Sequence, residues 1–561
     1  QSNRYGIKPG LETITQLLDR LENPQEQLKI IHVAGTNGKG STSAFITSIL
    51  SEAGYRVGRY LSPAVFSYRE RIQISDYLTE SHDGSDNPTA AKEIRGVDGI
   101  PKTDDSIRIE YITEEGVIAA VERIKPVCES MLREGLSHPT SFEIETAMAF
   151  LYLLWEKVDF AVIEVGMGGL LDATNVIKHP VCSVITSISM DHMQYLGDTL
   201  EKIAAQKSGI IKAGSPVVTC RQEPQVIKVL EDTCLEIGTK LTLSDFDKII
   251  RVSYNAGEPY NGRIGSERPK ENKDSKRAEP PGGIRISAEE PKENRDSKRT
   301  LAPYKDSSGN IIQAGVEAGE LICSSSINTN SNGNVIQAEA EVEELIRSSS
   351  INTNINKNII QTEAEPEETS FTIKKEDKEQ EYKIRLLGEY QVENAVLALK
   401  AIDLIRLQGY PISENAVRAG LYKTKWSGRF EIIARKPYLV IDGAHNEDAA
   451  LVLRRSVQLY FTNRRIVYMI GVLADKDYKS ILRIMAPLAG TIITLTPDNS
   501  RALASGELAK EASKYCGRVL DAGNVNEAVR LAYQEAGSED VIIAFGSLSF
   551  LGDLVRRITH N

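Results

Sequence analysis

The stretch Val33-Ala34-Gly35-Thr36-Asn37-Gly38-Lys39-Gly40-Ser41-Thr42 decides the fold. It follows a short β-branched run, Lys29 to Ala34 (KIIHVA). It precedes Thr42 to Ala53, where Phe45, Ile49 and Ala53 recur at helical spacing and Gly54 is a natural stop. Glycines between a strand and a helix let successive backbone N–H groups converge on a phosphate at the positive end of the helix dipole. Gly35, Thr36, Asn37, Gly38, Lys39, Gly40, Ser41 and Thr42 are therefore candidate nucleotide-binding residues. Lys39 would reach the outer phosphates and a hydroxyl, of Ser41 or Thr42, would face Mg²⁺. Two positions depart from the generic phosphate-loop pattern: Val33 stands where a glycine is usual, and Gly40 where a Ser or Thr directly follows the lysine. Taken alone, the loop also reads as a glycine-rich turn of any α/β protein.

The surrounding chain strengthens the first reading. Gly10 to Leu21 places Leu11, Ile14, Leu17, Leu18 and Leu21 on one helical face, and Tyr55 to Leu61 is a second strand ending at Ser62-Pro63. The apolar helix Phe142 to Trp155 leads into a buried strand, Phe160 to Val165, which carries Glu164 near its end and opens on Gly166-Met167-Gly168-Gly169 and Asp172-Ala173-Thr174-Asn175. Val181 to Ser189 is a further β-rich run, followed by Met190-Asp191-His192. Asp198 and Glu201 have capping-box spacing before a helix that carries Lys207 and stops at Gly209. This alternation predicts a doubly wound, mostly parallel sheet of α/β class, in which ligands bind beyond the carboxyl ends of the strands. Four polar features fall at four such ends: the phosphate loop, Ser62, Glu164 and His192.

From about 250 to 380 the chain turns rich in Glu, Lys, Asn, Ser and Pro. PKENKDSKR from Pro269 returns as PKENRDSKR from Pro291, and Asn310-Ile311-Ile312-Gln313, Asn334-Val335-Ile336-Gln337 and Asn358-Ile359-Ile360-Gln361 recur every 24 residues. Each unit offers too few apolar residues to bury, so the expectation is a disordered, slippage-expanded insertion rather than a solenoid. A shorter polar stretch, Thr79 to Ile107, is expected to be a surface loop. Order resumes at Tyr382. Gln391 to Leu407 is an apolar helix, and beyond Trp426-Ser427-Gly428-Arg429 come strand Tyr438 to Ile441, Asp442-Gly443-Ala444-His445-Asn446, strand Arg465 to Ile470, and later strands at Ile492 to Leu495 and Val541 to Ala544. The expected division is an ATP-binding domain over 1–425 and a smaller Rossmann-like domain over 428–561.

At 561 residues the chain exceeds a single core, and 41% hydrophobic with 26% charged residues is a globular balance. A net charge of −11 with no basic footprint excludes a nucleic-acid partner. No apolar run approaches the roughly 18 residues needed to span a bilayer, and the first residues are charged and helical rather than signal-like. The six cysteines show no ligand spacing and read as scattered reduced thiols of a cytoplasmic protein.

GTNGKGST from Gly35, Ser62-Pro63 with Glu70-Arg71-Ile72, EVGMGG from Glu164, LDATN from Leu171, MDH ending at His192, QKSGI from Gln206, QVENA from Gln391 and DGAHN from Asp442 together resemble the folylpolyglutamate synthase/dihydrofolate synthase family of the Mur ligase superfamily. The resemblance implies an ATP-dependent ligase that joins L-glutamate to a folate, or to dihydropteroate, through an acyl phosphate, working as a monomer with Mg²⁺ and a monovalent cation. It implies Mg²⁺ ligation by Ser62, Glu164 and His192, carbamylation of Lys207, and an adenine contact at Asn394. Arg429, Asp442 and His445 would come to the nucleotide from the second domain, His445 taking part in catalysis with Lys39 and Lys207. Asp172 and Asn175 would lie on the substrate side. Ordinary alternatives remain open: Glu164 pairing with a lysine, His192 as a structural histidine, Lys207 favoured by a helix C-terminus, Asp172 and Asn175 building an Asx turn, Asn394 solvated, and Arg429 a linker charge. The chain departs from the family pattern at Ala64, where a histidine is usual, and at Ser427 and Glu447, where prolines are. The competing functions are another Mur-type amino-acid ligase and a nucleotide-binding interaction protein with lapsed catalysis.

Overall fold

Runs such as IIHVA, FAVIE and CSVI are apolar on both sides of the pleat, so they need cover on both faces and form the centre of a parallel sheet. In the computed structural model, which describes residues 10–77, 107–255, 304–305, 311–312, 359–362, 368–375 and 378–559, they do so. Strands β1 (Ile30–Ala34), β2 (Val57–Tyr60), β3 (Ile72–Tyr77), β4 (Ile107–Tyr111), β5 (Phe160–Glu164), β6 (Cys182–Ile185), β7 (Val217–Thr219) and β8 (Leu241–Leu243) lie in the order β4-β3-β2-β5-β1-β6-β7-β8. Within this sheet only the β2–β3 and β3–β4 pairs are antiparallel. Around the sheet pack α1 (Glu12–Arg20), α2 (Lys39–Glu52), α3 (Glu114–Arg133), α4 (Ser141–Trp155), α5 (Met193–Leu196), α6 (Leu200–Ser208) and α7 (Pro224–Ile237). Side-chain alternation divides the cover. Ile31 and Val33 join Phe45 and Ile49 of α2 in one core cluster, while Ile30, Ala161 and Ile163 join α1, α3 and α4 in another.

Several expected boundaries move for identifiable reasons. The helix after the phosphate loop begins at Lys39, not Thr42, because Gly38 takes a left-handed φ of 86° as its N-cap and the chain winds straight out of the turn. The strand expected over Val181 to Ser189 ends at Ile185, since Ser187 turns its carbonyl to the N–H groups of Thr36 (2.7 Å) and Asn37 (3.3 Å). Asp198 lies one residue too early to cap α6. Thr199 accepts the Lys202 N–H instead, and Asp198 pairs with the Lys202 ammonium at 2.7 Å.

The ends of the polar insertion are strands, contrary to the expected span of 250 to 380. After β9 (Ile249–Asn255) come β10 (Tyr304–Lys305) and β11 (Ile311–Ile312), an antiparallel pair within a separate compact unit, Gly262–Asn332. Strands β12 (Ile359–Thr362), β13 (Thr369–Lys375) and β14 (Lys378–Ile384) then complete a sheet ordered β12-β9-β13-β14. Val252, Tyr254, Phe371, Ile373, Tyr382 and Ile384 bury one face of it in the same cluster as α2. Most of the 24-residue repeats and the polar stretch over 79–106 lie outside the described residues; Ile107 already belongs to β4.

Beyond the four-stranded sheet, α8 (Tyr390–Leu407) and α9 (Glu414–Lys423) pack against α2, with Ser48 Oγ donating to Gly420 O at 2.7 Å. A second parallel sheet follows: β15 (Glu431–Arg435), β16 (Tyr438–Ile441), β17 (Ile466–Ile470), β18 (Thr491–Leu495), β19 (Val519–Gly523) and β20 (Val541–Phe545), ordered β15-β16-β20-β17-β18-β19, with β15 alone antiparallel to its neighbour. Its helices are α10 (Glu447–Tyr460), α11 (Tyr478–Met485), α12 (Ser505–Ala512), α13 (Val525–Glu535) and α14 (Leu548–Thr559).

Candidate active site

Phe160 and Val162 of β5 pack on the α2 side of the sheet, so period-two alternation aims Glu164 at the same side, beneath the phosphate loop. Its buried carboxylate stands 3.9 Å from Lys39 Nζ and makes no hydrogen bond among the described residues. Burial pushes its pKa up, against the opposing charges of Lys39, Arg429 and Arg59. Lys39 itself curls back to donate to the carbonyls of Gly35 and Thr36, both at 3.2 Å. The amides of Thr36 and Asn37 are spent on Ser187, so the N–H groups left to meet an anion are those of Gly38, Lys39, Gly40 and Ser41, in the first turn of α2. Thr42 Oγ1 is buried there without a partner among the described residues.

Lys207 reaches the same loop from α6, donating to Gly35 O at 2.8 Å. Burial, then the neighbouring Lys39, lowers its pKa to about 7, so near neutrality much of its amine is uncharged.

The second sheet closes over this rim through Asp191. Lys476, from the turn after β17, donates to Asp191 Oδ1 at 2.7 Å, and Asn446 Nδ2 to Oδ2 at 3.3 Å. His445 Nε2 lies 3.6 Å from Oδ2 while its Nδ1 meets Gly443 O at 2.8 Å. Burial alone would raise the Asp191 carboxyl, but the neighbouring His445 and the charge of Lys476 hold it well below the usual carboxylate range. Asn446 also exchanges amide contacts with Asn37 of the phosphate loop at 3.2 and 3.4 Å. His192, beside Asp191, is kept neutral by burial, its pKa lowered to about 4.

The remaining expected residues divide. Asn394 abuts the phosphate loop, since a Cβ on Gly38 would collide with its side chain, and its Nδ2 donates to Gln391 at 3.1 Å. Arg429 lies against Gly443 and acts on Asp442 and Glu164. Asp442 is saturated within its own surroundings, accepting from Phe430 N and Ala444 N at 2.8 Å and from Tyr390 OH at 3.1 Å. Asp172 does build an Asx turn, accepting from Met167 N, Thr174 N and Thr174 Oγ1, and Asn175 ties down Leu170 O at 2.9 Å. No hydrogen bond or ion pair among the described residues joins Ser62 or His192 to Glu164. Ser62 opens a loop whose Val65, Phe66 and Ser67 N–H groups are gathered by the Glu70 carboxylate. Sequence reasoning passed over Asp191 and Lys476 as site residues. The charged triplet Asp475-Lys476-Asp477 so soon after an apolar strand was the available signal.

Two family models match the chain: the Mur ligase middle domain over residues 111–257, which holds Glu164, Asp191 and Lys207, and the Mur ligase glutamate ligase domain over 428–548, which holds Asp442 to Asn446 and Lys476. The chain belongs to the folylpolyglutamate synthase/dihydrofolate synthase family of the Mur ligases. It is 28% identical over 558 residues to the dihydrofolate synthase/folylpolyglutamate synthase of Bacillus subtilis, covering 99% of this chain and 96% of that one. It is 26% identical to the folylpolyglutamate synthase of Lacticaseibacillus casei, covering 97% and 93%. The crystal structure of the folylpolyglutamate synthase of Thermotoga maritima superposes with a TM-score of 0.64 at 27% identity, covering 99% of this chain and 94% of that one. As in other Mur ligases, the chain forms carbon–nitrogen bonds. Among the described residues no helix is long and apolar enough to cross a membrane.

Proposed function

We infer that this protein is an ATP-dependent amide ligase that adds L-glutamate to a folate. The observation that carries the reading is the convergence of Lys39, Glu164, Lys207 and Asp191 on one rim, where a carboxylate can be made reactive and an amine admitted. A carboxylate is a poor electrophile. Transfer of the ATP γ-phosphoryl group to the acceptor's carboxylate oxygen gives an acyl phosphate and ADP; attack by the glutamate amine then forms the amide and expels inorganic phosphate. In this scheme the first-turn amides of α2 and the Lys39 ammonium hold the phosphates. Arg429 and His445 face the nucleotide, and Asn394 meets the base beside Gly38. Asp191 keeps His445 and Lys476 seated across the cleft.

The residues present suit a divalent cation. Glu164 is a buried carboxylate lacking a hydrogen-bond donor, and His192 is neutral, with a lone pair to give; with Ser62 they would hold Mg²⁺. Bound there, the cation would screen the phosphate charge. The uncharged amine of Lys207 supports its carbamylation, in which the neutral nitrogen adds to CO₂ and loses a proton, leaving an anionic carbamate. We further propose a two-domain monomer, divided near residues 425–428, acting in the cytoplasm, with dihydropteroate a second acceptor. Asp172 and Asn175 shape the substrate side through the turn they build.

ADP release that requires both a reduced folate and L-glutamate, with a product heavier by one glutamate residue, is the expected result. Release indifferent to folate overturns it, and turnover on a muramoyl-peptide acceptor instead moves the protein to another branch of the ligases.

A further inference from the structure

Gly40 stands where phosphate loops usually place Ser or Thr, and its neighbour accounts for it. The indole of Trp426 lies directly on Gly40: a Cβ there would overlap Cζ2 and come within 2.8 Å of Cε2. The ring system is also held by Arg59, whose guanidinium carbon sits 4.7 Å from the indole centroid and whose Nε and Nη2 both donate to Gln73 Oε1. Among the described residues Trp426 Nε1 is buried with no hydrogen-bond partner, so packing rather than a polar anchor keeps the ring in place.

The position of Trp426 in the chain gives this contact its meaning. Helix α9 crosses α2 so closely that a Cβ on Gly420 would meet the Ile49 backbone, and Trp426 comes three residues after α9 ends. Next come Gly428, whose N–H donates to Glu431 at 2.7 Å, Arg429 against Gly443, and Phe430, whose N–H donates to Asp442. The indole thus ties the linker to the phosphate loop five residues before the second parallel sheet begins at Glu431.

We propose that Trp426 is a positioning residue that reads the phosphate loop: it sets glycine at position 40 and carries the arrangement of the first turn of α2, as nucleotide fills it, to Arg429. The inference rests on the reading of residues 35–42 as the nucleotide site. It predicts that Gly40 is required because of Trp426, not because the phosphates need a bare backbone at that point.

The test is a double-mutant cycle with Gly40→Ala and Trp426→Leu, read as KM for ATP and kcat separately. Gly40→Ala alone should raise KM for ATP about tenfold, a coupling of the size found for residues in contact, and should cost less than about threefold once Trp426→Leu has made room. Trp426→Phe provides the same comparison if the leucine variant fails to fold. Trp155, the other tryptophan, is exposed at the end of α4, so in a Trp155→Phe background ADP should shift the remaining emission. An equal cost of Gly40→Ala in both backgrounds, or an unchanged emission while calorimetry records ADP binding, overturns the proposal. Calorimetry without ADP binding to the unaltered protein overturns the nucleotide-site reading itself.

Discussion

Asp191 is the carboxylate on which the two sheets meet, and replacing it by Asn measures what that meeting contributes. Its side chain and that of Lys476 are 10% and 9% exposed, and their 2.7 Å contact lies away from bulk water. Removing one partner of such a pair leaves the other charge buried and costs about 3–5 kcal/mol. Asparagine retains the shape and one acceptor oxygen, which places the substitution near ~3 kcal/mol, the low end of that range. The sign with pH follows from the depressed carboxyl: its contribution is complete above the ordinary carboxylate pKa and is lost only as pH falls toward the folded-state value far below it. The difference between the proteins should therefore be flat from about pH 5 upward. Urea unfolding followed by circular dichroism reads it, alone and in combination with Lys476→Met. In the double variant no charge is stranded, so the cost should fall well below the sum of the two single costs. A loss under about 1 kcal/mol for Asp191→Asn, or simple additivity with Lys476→Met, would refute the account of this contact as a buried, coupled pair.

Three further outcomes are expected. With Lys207 lowered to about 7, its reaction with CO₂ should strengthen as pH rises through neutrality. A carbamate carbon signal under ¹³CO₂ should be larger at about pH 8.5 than at about pH 6 and absent from Lys207→Met, and turnover should fall in CO₂-depleted buffer. Glu70→Gln weakens the acceptor for the Val65, Phe66 and Ser67 N–H groups and should cost about 1–2 kcal/mol, with hydrogen exchange quickening across residues 62–67. Excision of residues 262–332 should leave ligase turnover intact. Excision of 250–380 also removes the core side chains Tyr254, Phe371 and Ile373 and should abolish cooperative folding, as a thermal scan will show.

What the sequence disclosed follows a physical division. Doubly covered strands such as Ile30–Ala34 and Phe160–Glu164 are continuous apolar runs, so the sheet and the strand ends that carry the site were legible. The strands at the rims of the insertion were not. Phe371 and Ile373 bury one face while Ser370, Thr372 and Lys374 alternate with them inside a charge-rich segment whose composition masks the period of two. Contacts across the two sheets were also hidden, because Asp191 and Lys476 are 285 residues apart and no local pattern pairs them. Asp172 shows a third limit: the same side chain is both a turn-builder and a substrate candidate, and spacing cannot rank the two.

The balance of charge at the rim bears on whether the chain is an enzyme or only a nucleotide-binding scaffold. Glu164 is buried without a hydrogen bond, Lys207 is buried with a carbonyl as its hydrogen-bond partner, and the guanidinium of Arg59 is pushed by burial down to about 10. Each arrangement disfavours the folded state relative to an apolar side chain of similar size. Binding an adenine nucleotide asks for the first-turn amides of α2 and Lys39, and needs neither an uncharged lysine nor a carboxylate awaiting a cation. Those two are what phosphoryl transfer to a carboxylate calls for, where charge must be gathered and then released. Local cost concentrated at one rim of an otherwise well-packed sheet is the signature of a site built for turnover.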